Sequence, residues 1–208
     1  DDAANLFEGV VARANVMKGQ FLSTGAVKVK ENNVDMSIDY GVPSSAKVEM
    51  TDWSKPDADI MGDIQKMVAI AEDNGSVVSK SVTSLKMINY MRNNTAIQTA
   101  VLGAANKRLL TKQELANLLM QEYGITIDRC DEKFRFRKAD GSLKTGRYFK
   151  EDVFTLYEAE PNGSFGTGLW GPTPEENEYR QFIEQENRSF VTLSMWATPD
   201  PVAVWTKA

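Results

Sequence analysis

The sequence has 208 residues, 42% of them hydrophobic and 25% charged, which is typical of a globular protein that can bury a core without disulfides or metals. Its 29 acidic and 24 basic residues give a formal charge of −5, which argues against a protein whose affinity comes from neutralising nucleic-acid phosphates. The single cysteine excludes an intramolecular disulfide, and the lack of histidine removes the commonest general base and metal ligand.

A long amphipathic pattern opens the chain. Apolar residues recur at three- and four-residue steps between positions 3 and 22, namely Ala3, Leu6, Phe7, Val10, Val11, Ala14, Met17 and Phe21. This period predicts one helix about 30 Å long that ends near Gly25. Two alternating runs follow at 26–30 and 34–40 and predict a β-hairpin that turns at Asn32-Asn33. Residues 47–50 predict a further short strand.

The stretch from Asp57 to Asn94 has the most periodic apolar surface, so we expect the fold to be arranged around it. Its first half predicts a helix that stops at Asn74-Gly75 and has one apolar face, formed by Ile60, Met61, Ile64, Met67, Val68 and Ala71. Val77-Val78 predicts a short central strand. Thr83 or Ser84 can cap a second helix, whose apolar face carries Leu85, Ile88 and Met91.

A strong helix start follows near residue 111. Thr111 and Glu114 predict a capping box, Leu110 and Leu115 a hydrophobic staple, and Gly124 the end of the helix. Strands are then predicted at 125–127, 132–138 and 153–157, with a turn at Asp140-Gly141. The strand at 153–157 is largely apolar, and we expect it to be central.

The C-terminal part begins with a loop rich in Gly and Pro at 160–174. It continues with a short helix from Thr173-Pro174 and two strands at 189–197 and 202–206. A two-stranded hairpin is marginal alone, and the apolar stripe of the first helix needs cover. We therefore expect the first helix to pack on one sheet that contains both 26–40 and 190–206.

Candidate chemistry is sparse. Asp57, Asp59 and Asp63 are close enough in sequence for a hard-cation site, but acids in a first helical turn also complement the helix dipole, and we favour that interpretation. The glycines at 163–168 lack the context of a phosphate-binding loop. Cys130 has no base nearby in sequence and is interpreted as a passive thiol. The basic run 133–138 predicts a half-buried strand with Phe134 and Phe136 inward. We therefore predict no catalytic, cofactor-binding or metal-binding residue.

A succession of short motifs runs along the chain. The first half contributes the opening helix ending at Gly25, the strand before Gly41, Trp53 ahead of Asp57, and the helix–Gly75–Val77-Val78–helix unit. The second half contributes Tyr148-Phe149 before the strand at 153, Gly171-Pro172-Thr173, and Asp200-Pro201. In this order, and along nearly the whole sequence, the motifs resemble those of the lambda-like phage major capsid protein E family, which has the Hong Kong 97-type capsid fold.

The resemblance implies an α+β fold with two domains. A peripheral domain would hold a long spine helix and a small β-sheet, from residues 1–52 and the return strands 188–208. An axial α/β domain, residues 53–187, would have a central sheet and flanking helices. The family's N-terminal arm and extended loop would precede residue 1. We therefore expect a fragment that lacks both, and we expect residues 1–208 alone to form monomers or small oligomers rather than shells.

The implied function is that of a major capsid (head) subunit of a tailed bacteriophage or prophage. It would assemble with itself into pentamers and hexamers of an icosahedral shell that packages DNA, and it would not be an enzyme. Expected partners are other copies and the scaffold, protease, portal and decoration proteins of the phage, with no membrane and no sequence-specific nucleic acid. The expected location is the virion, and the host bacterial cytoplasm during assembly.

Two alternatives stay open at this point. One is a carboxylate-based or metal-assisted enzyme domain that uses Asp57, Asp59 and Asp63, which a buried cluster of perturbed acids in a cleft would favour. The other is a cellular shell or cargo compartment of the same fold.

Overall fold

The computed structural model describes residues 2–31, 34–106, 108–138, 140–160, 166, 168–171, 184–188, 191–199 and 202–207. The helices are α1 (Asp2–Thr24), α2 (Ile60–Asp73), α3 (Leu85–Asn93), α4 (Thr95–Leu102) and α5 (Lys112–Tyr123), with a short 3₁₀ turn at Ser44–Ala46. The strands are β1 (Ala26–Glu31), β2 (Val34–Asp39), β3 (Lys80–Thr83), β4 (Thr126–Arg129), β5 (Lys133–Arg137), β6 (Leu143–Arg147), β7 (Phe154–Tyr157), β8 (Glu184–Arg188), β9 (Val191–Pro199) and β10 (Val202–Lys207).

The chain divides into two compact units. The larger unit is Val16–Gly166, and the smaller combines Asp1–Asn15 with Thr167–Ala208. The boundary falls inside α1, and the β1–β2 hairpin belongs to the larger unit. This division differs from the sequence-based one, which placed the hairpin with the terminal strands.

A three-stranded sheet forms the centre of the larger unit. β3 lies in the middle, parallel to β4 and antiparallel to β7. The main hydrophobic core involves α2, α3, α4 and α5, and its fully buried members include Ile64, Met91, Ile97, Leu110 and Leu119. Ile127 of β4 and Phe154 of β7 pack against the same core. The expectation that the stretch 57–94 is central is therefore confirmed.

Side-chain caps define where the core helices begin. Asp59 accepts a hydrogen bond from Gly62 N at the start of α2, and Ser84 accepts one from Met87 N at the start of α3. The predicted capping box of α5 is present, with Thr111 accepting from Glu114 N and Glu114 accepting from Thr111 N. These bonds satisfy backbone donors that have no partner inside the helix.

The C-terminal end of α1 packs closely against the segment around β7. A Cβ on Gly19 would lie 1.8 Å from the carbonyl oxygen of Tyr148, so only glycine permits this approach. Ser23 Oγ accepts a hydrogen bond from Lys150 N at 3.2 Å, and Thr155 Oγ1 donates to the carbonyl of Leu22 at 2.8 Å. These contacts fix this part of α1 on the larger unit.

The smaller unit contains the sheet β8–β9–β10, all antiparallel. Val191 and Leu193 of β9 are buried. Within the described residues, β1 and β2 pair only with each other, so the prediction of one sheet that contains both 26–40 and 190–206 is wrong. The predicted helix from Thr173-Pro174 lies outside the described residues, as does most of the loop at 160–174.

Three further strand predictions need correction. The strand after α2 begins at Lys80 rather than at Val77-Val78, and Val77 is 72% exposed. Residues 47–50 form no strand. The strand near residue 153 is β7, which lies at an edge, because β3 occupies the central position.

Candidate functional site

The three acids proposed as a metal site have separate roles. Asp57 is exposed, and Asp59 caps α2. Asp63 is 2% exposed, and its Oδ2 accepts hydrogen bonds from Thr51 N (3.0 Å), Thr51 Oγ1 (2.5 Å) and Trp53 Nε1 (2.9 Å). Within the described part of the chain, no three acidic or cysteine side chains are grouped so that they could hold a metal ion. These acids therefore do not form the site that a metal-assisted enzyme would need.

The electrostatics of Asp63 follow from these contacts. Burial raises the pKa of its carboxyl, but the hydrogen bonds from Thr51 and Trp53 outweigh burial and hold the pKa below its ordinary value. Asp63 is therefore an ionised structural acceptor. It ties the segment around Thr51 to the start of α2.

A large cleft lies beside this segment. Its volume is about 1030 Å³, and it is lined by the end of α1, residues 46–54, α2, α3 and the segment 152–156. Trp53 and Phe154 form part of its wall, with ring centroids 5.4 Å apart. Cys130 does not line the cleft, and burial raises the pKa of its thiol, which makes it a poor nucleophile.

A charge network surrounds Asp131, between β4 and β5. Its carboxylate accepts from Leu85 N (2.9 Å), Arg129 Nε (2.5 Å) and Arg147 Nη1 (3.0 Å), and Arg147 also pairs with Glu151. Burial raises the pKa of Asp131, but the bonds from Arg129 and Arg147 outweigh it and lower the pKa overall. The network fixes the base of the β5–β6 hairpin to the start of α3.

The β5–β6 hairpin has one aromatic and one basic face. Directly paired residues lie on the same face of an antiparallel ladder. The register Phe134↔Gly146 and Phe136↔Lys144 therefore defines the aromatic face. Phe134 lies 5.7 Å from Phe136 and 5.0 Å from Tyr148, centroid to centroid. A Cβ on Gly146 would lie 2.5 Å from the Phe134 ring, so glycine makes room for that ring. The alternation predicted for this strand is present, but Phe136 is 41% exposed and not inward.

The opposite face carries Lys133, Arg135, Arg137 and Arg147, together with Leu143 and Thr145. We call it the basic face. Lys133, Arg135 and Arg137 are exposed, and their side chains make no ion pair or hydrogen bond within the part of the chain that the structure describes. Leu143 is 66% exposed. Apart from Arg147, which pairs with Asp131 and Glu151, the cations of the basic face are therefore unpartnered among the described residues.

An acidic patch lies before β4. It is formed by Asp59 and Glu122, both exposed, and the exposed Asp57 lies two residues before Asp59 in the sequence. Tyr123, the last residue of α5, donates a hydrogen bond to the carbonyl of Met61 at 3.0 Å. Burial raises the pKa of the Tyr123 hydroxyl, and the negative charges of Glu122 and Asp59 raise it further. Asp59 and Glu122 therefore flank the same tyrosine.

Comparison with known proteins identifies the relatives of the chain. The sequence model of the phage major capsid protein E family matches residues 1–208. The chain belongs to this family.

A solved structure agrees with the family at the level of fold. The chain is similar to a protein assigned as the capsid protein of a prophage of E. coli CFT073, with 14% sequence identity and a TM-score of 0.52. The similarity covers 97% of this chain and 58% of the other, so the chain spans a little over half of that protein. At this identity the match supports the fold alone. Among curated proteins, no sequence gives a significant match.

Because the chain belongs to the phage major capsid protein E family, its exposed charged surfaces become candidates for contacts between copies. The sequence shows the basic run at 133–138, whose cations were expected to be solvated, and the acids at 57–63, which were interpreted as a complement to a helix dipole. The pairing of β5 with β6 adds Arg147 and Leu143 to the cations, and the packing of α5 beside α2 adds Glu122 to the acids. No helix of the described residues is long and apolar enough to cross a membrane.

Proposed function

We propose that this protein is a major capsid, or head, subunit of a tailed bacteriophage or prophage. Identical copies would assemble into pentamers and hexamers of an icosahedral shell that packages DNA. The observation that carries the proposal is the family match over residues 1–208. The α+β fold shared with a prophage protein supports it.

The surfaces of the larger unit suit a subunit that joins copies of itself. Its basic face, where Lys133, Arg135 and Arg137 have no partner among the described residues, and its acidic patch are exposed, whereas the buried carboxylate of Asp63 is satisfied internally. A shell protein needs such complementary surfaces more than it needs a reactive group. The enzyme alternative gains no support from Asp57, Asp59 and Asp63, since they share no site.

The finer architecture belongs to the same proposal. We assign residues 1–52 and 188–208 to a peripheral domain of Hong Kong 97 type, with α1 as its spine helix, and residues 53–187 to an axial domain. The partners would be other copies and the scaffold, protease, portal and decoration proteins of the phage. The protein would reside in the virion, after assembly in the bacterial cytoplasm.

Electron microscopy tests the proposal. The full-length protein that carries these residues is expressed in bacteria, alone and with the neighbouring head genes, and the particles are imaged after gradient sedimentation. We expect closed shells with icosahedral symmetry. If every preparation contains only small soluble species, the proposed function is wrong.

A further inference from the structure

The positive charge of the chain is concentrated in the β5–β6 hairpin. Residues 133–147 contain six basic residues and one acidic residue, Asp140, so this segment carries a formal charge of +5. The whole chain is at −5, so the residues outside the hairpin together carry −10. A strongly basic hairpin is therefore part of an otherwise acidic protein.

The base of the hairpin is held rigidly, whereas its basic face is open. Asp131 and Glu151 neutralise Arg147 at the base. Further along the hairpin, Arg135 and Arg137 have no side-chain partner among the described residues. A fixed base limits the backbone entropy that is lost when a partner binds, and the free cations are available to pair with the partner's charges.

Among the described residues, the exposed cations of the basic face form no ion pair with Asp57, Asp59 or Glu122. Tyr123 lies shortly before Thr126, the first residue of β4. The hairpin begins shortly after Arg129, the last residue of β4. Between them, Asp131 accepts a hydrogen bond from Leu85 N, which lies just after the end of the parallel strand β3. The four residues of β4 span on the order of 10 Å, about one Debye length at physiological salt. The charges of the two surfaces are therefore not paired with one another within the described part of the chain.

We propose that the basic face of one copy docks on the acidic patch of the next copy. The inference rests on the proposed function and names one contact of the assembly. Because the two surfaces differ, the contact is head-to-tail, the type that closes into rings. Arg135 and Arg137 would face Asp57 and Glu122 of the neighbouring copy.

The apolar residues of the hairpin favour a protein over a nucleic acid as the occupant. Leu143 lies among the cations and is 66% exposed, and Phe136 on the other face is 41% exposed. A protein surface can bury such groups, whereas a phosphate backbone contacts only the cations. The acidic remainder of the chain would also repel DNA.

Zero-length cross-linking tests the contact without any substitution. Full-length protein is prepared in ¹⁴N and ¹⁵N forms, mixed before assembly, and treated with a carbodiimide that joins lysine amines to carboxylates in contact. Mass spectrometry then separates mixed-isotope links, which join two copies, from links within one copy. We expect mixed links from Lys133 or Lys138 to Asp57, Asp59 or Glu122. If hairpin lysines yield no such link in the assembled protein, the proposal fails.

A charge-reversal series provides the second measurement. Arg135→Glu with Arg137→Glu should weaken self-association, measured by sedimentation velocity, by about tenfold or more. Lys18→Glu with Lys28→Glu is the matched control, since both lysines are exposed and the change in net charge is the same. Adding Asp57→Lys and Glu122→Lys to the hairpin variant should restore association to within about threefold of the original. Asp59 is left unchanged because it caps α2.

The outcomes separate this proposal from the proposed function. Shells that form equally well with the reversed hairpin, without mixed links, overturn the contact and leave the capsid function standing. Mixed links in small rings that never close into shells support the contact and count against the capsid function. If the reversal instead abolishes binding of a 20-base-pair duplex in fluorescence anisotropy and leaves self-association unchanged, the hairpin is a nucleic-acid surface and the proposal is wrong.

Discussion

Asp63 shows why an acidic residue in a helical first turn can be more than a complement to the helix dipole. Its side chain is almost fully buried and accepts three hydrogen bonds, two from Thr51 and one from Trp53. Hydrogen bonds to a charged group each contribute roughly 1.5–3 kcal/mol, and burial makes their loss costly. The sequence showed the acid and its spacing, but the donors lie 10 and 12 residues away in a segment without regular structure, which no periodicity reveals.

We predict that Asp63→Asn lowers the free energy of unfolding by about 2–3 kcal/mol at pH 7. The reason is that a neutral amide oxygen accepts hydrogen bonds from the three donors more weakly than a carboxylate does. Since the pKa of Asp63 is lowered on folding, its contribution is complete above the ordinary Asp pKa and is lost as pH falls through the folded-state pKa. The difference between the two proteins should therefore shrink below about pH 4.

Urea denaturation at several pH values measures this difference. The control is Asp57→Asn, an exposed acid for which we expect a change within about 0.5 kcal/mol. Equal effects of the two substitutions, or a difference that does not depend on pH, would contradict the assigned role of Asp63.

Gly9 and Gly19 both lie on α1, but their surroundings differ. A Cβ on Gly9 would meet no atom within 4 Å, whereas one on Gly19 would lie 1.8 Å from the backbone oxygen of Tyr148. Gly9→Ala should raise the free energy of unfolding by about 0.5–1 kcal/mol through helix propensity. Gly19→Ala should lower it by about 1–3 kcal/mol, because the backbone must move. Opposite signs in thermal denaturation are the expected result, and two stabilising substitutions would show that α1 does not dock at Tyr148.

At the scale of elements, α5 is predictable because its signals are local. Thr111, Glu114 and Gly124 lie within or next to the helix and form the bonds that the sequence indicated. Arg108 adds an ion pair to Glu114, with Nη2 and Oε1 2.5 Å apart. This hydrogen bond, joined by that from Thr111 N, lowers the pKa of Glu114 to about 2.

Replacement of Arg108 tests this network. We predict that Arg108→Ala raises the pKa of Glu114 toward its ordinary value, because the largest cause of the lowering is removed. An NMR titration of the Glu114 side chain measures the change. Arg135→Ala, far from Glu114 in the sequence, serves as the control. A Glu114 pKa that is equal in the original and the Arg108→Ala protein would contradict the ion pair.

Strands were harder to predict than helices, for a physical reason visible in β3. The apolar pair Val77-Val78 suggested the strand, yet the strand contains Ser81 and Thr83, both fully buried. Their hydroxyls donate to the carbonyls of Thr126 and Val153, which lie 45 and 70 residues away. Burial of these polar residues depends on long-range partners, so a local pattern could not show it. Pairing between residues far apart in sequence also decides that β7 lies at an edge and that β1–β2 and β8–β9–β10 form separate sheets.

At the scale of the whole molecule, the chain offers two divisions. The sequence suggests cuts near residues 52 and 187, whereas the structure groups Val16–Gly166 as one unit. The two divisions differ in whether Leu22, Ser23 and Thr51 belong to the same domain as the central sheet. Each of these residues makes a hydrogen bond to the 53–166 region, with Thr155, Lys150 and Asp63 respectively.

We therefore predict that a protein of residues 16–166 folds cooperatively, whereas one of residues 53–187 is at least several kcal/mol less stable or does not fold. The shorter cut removes Thr51, which leaves the buried Asp63 with one of its three donors, and strips the end of α1 from the segment that follows Tyr148. A buried charge that loses its partners costs about 3–5 kcal/mol, a large part of the stability of a domain of this size. Urea denaturation with near-UV circular dichroism compares the two proteins. If the protein of residues 53–187 has the larger free energy of unfolding, the cooperative folding unit is the axial domain proposed from the sequence. The contacts of α1 and β1–β2 with the rest of the larger unit would then add nothing to its stability.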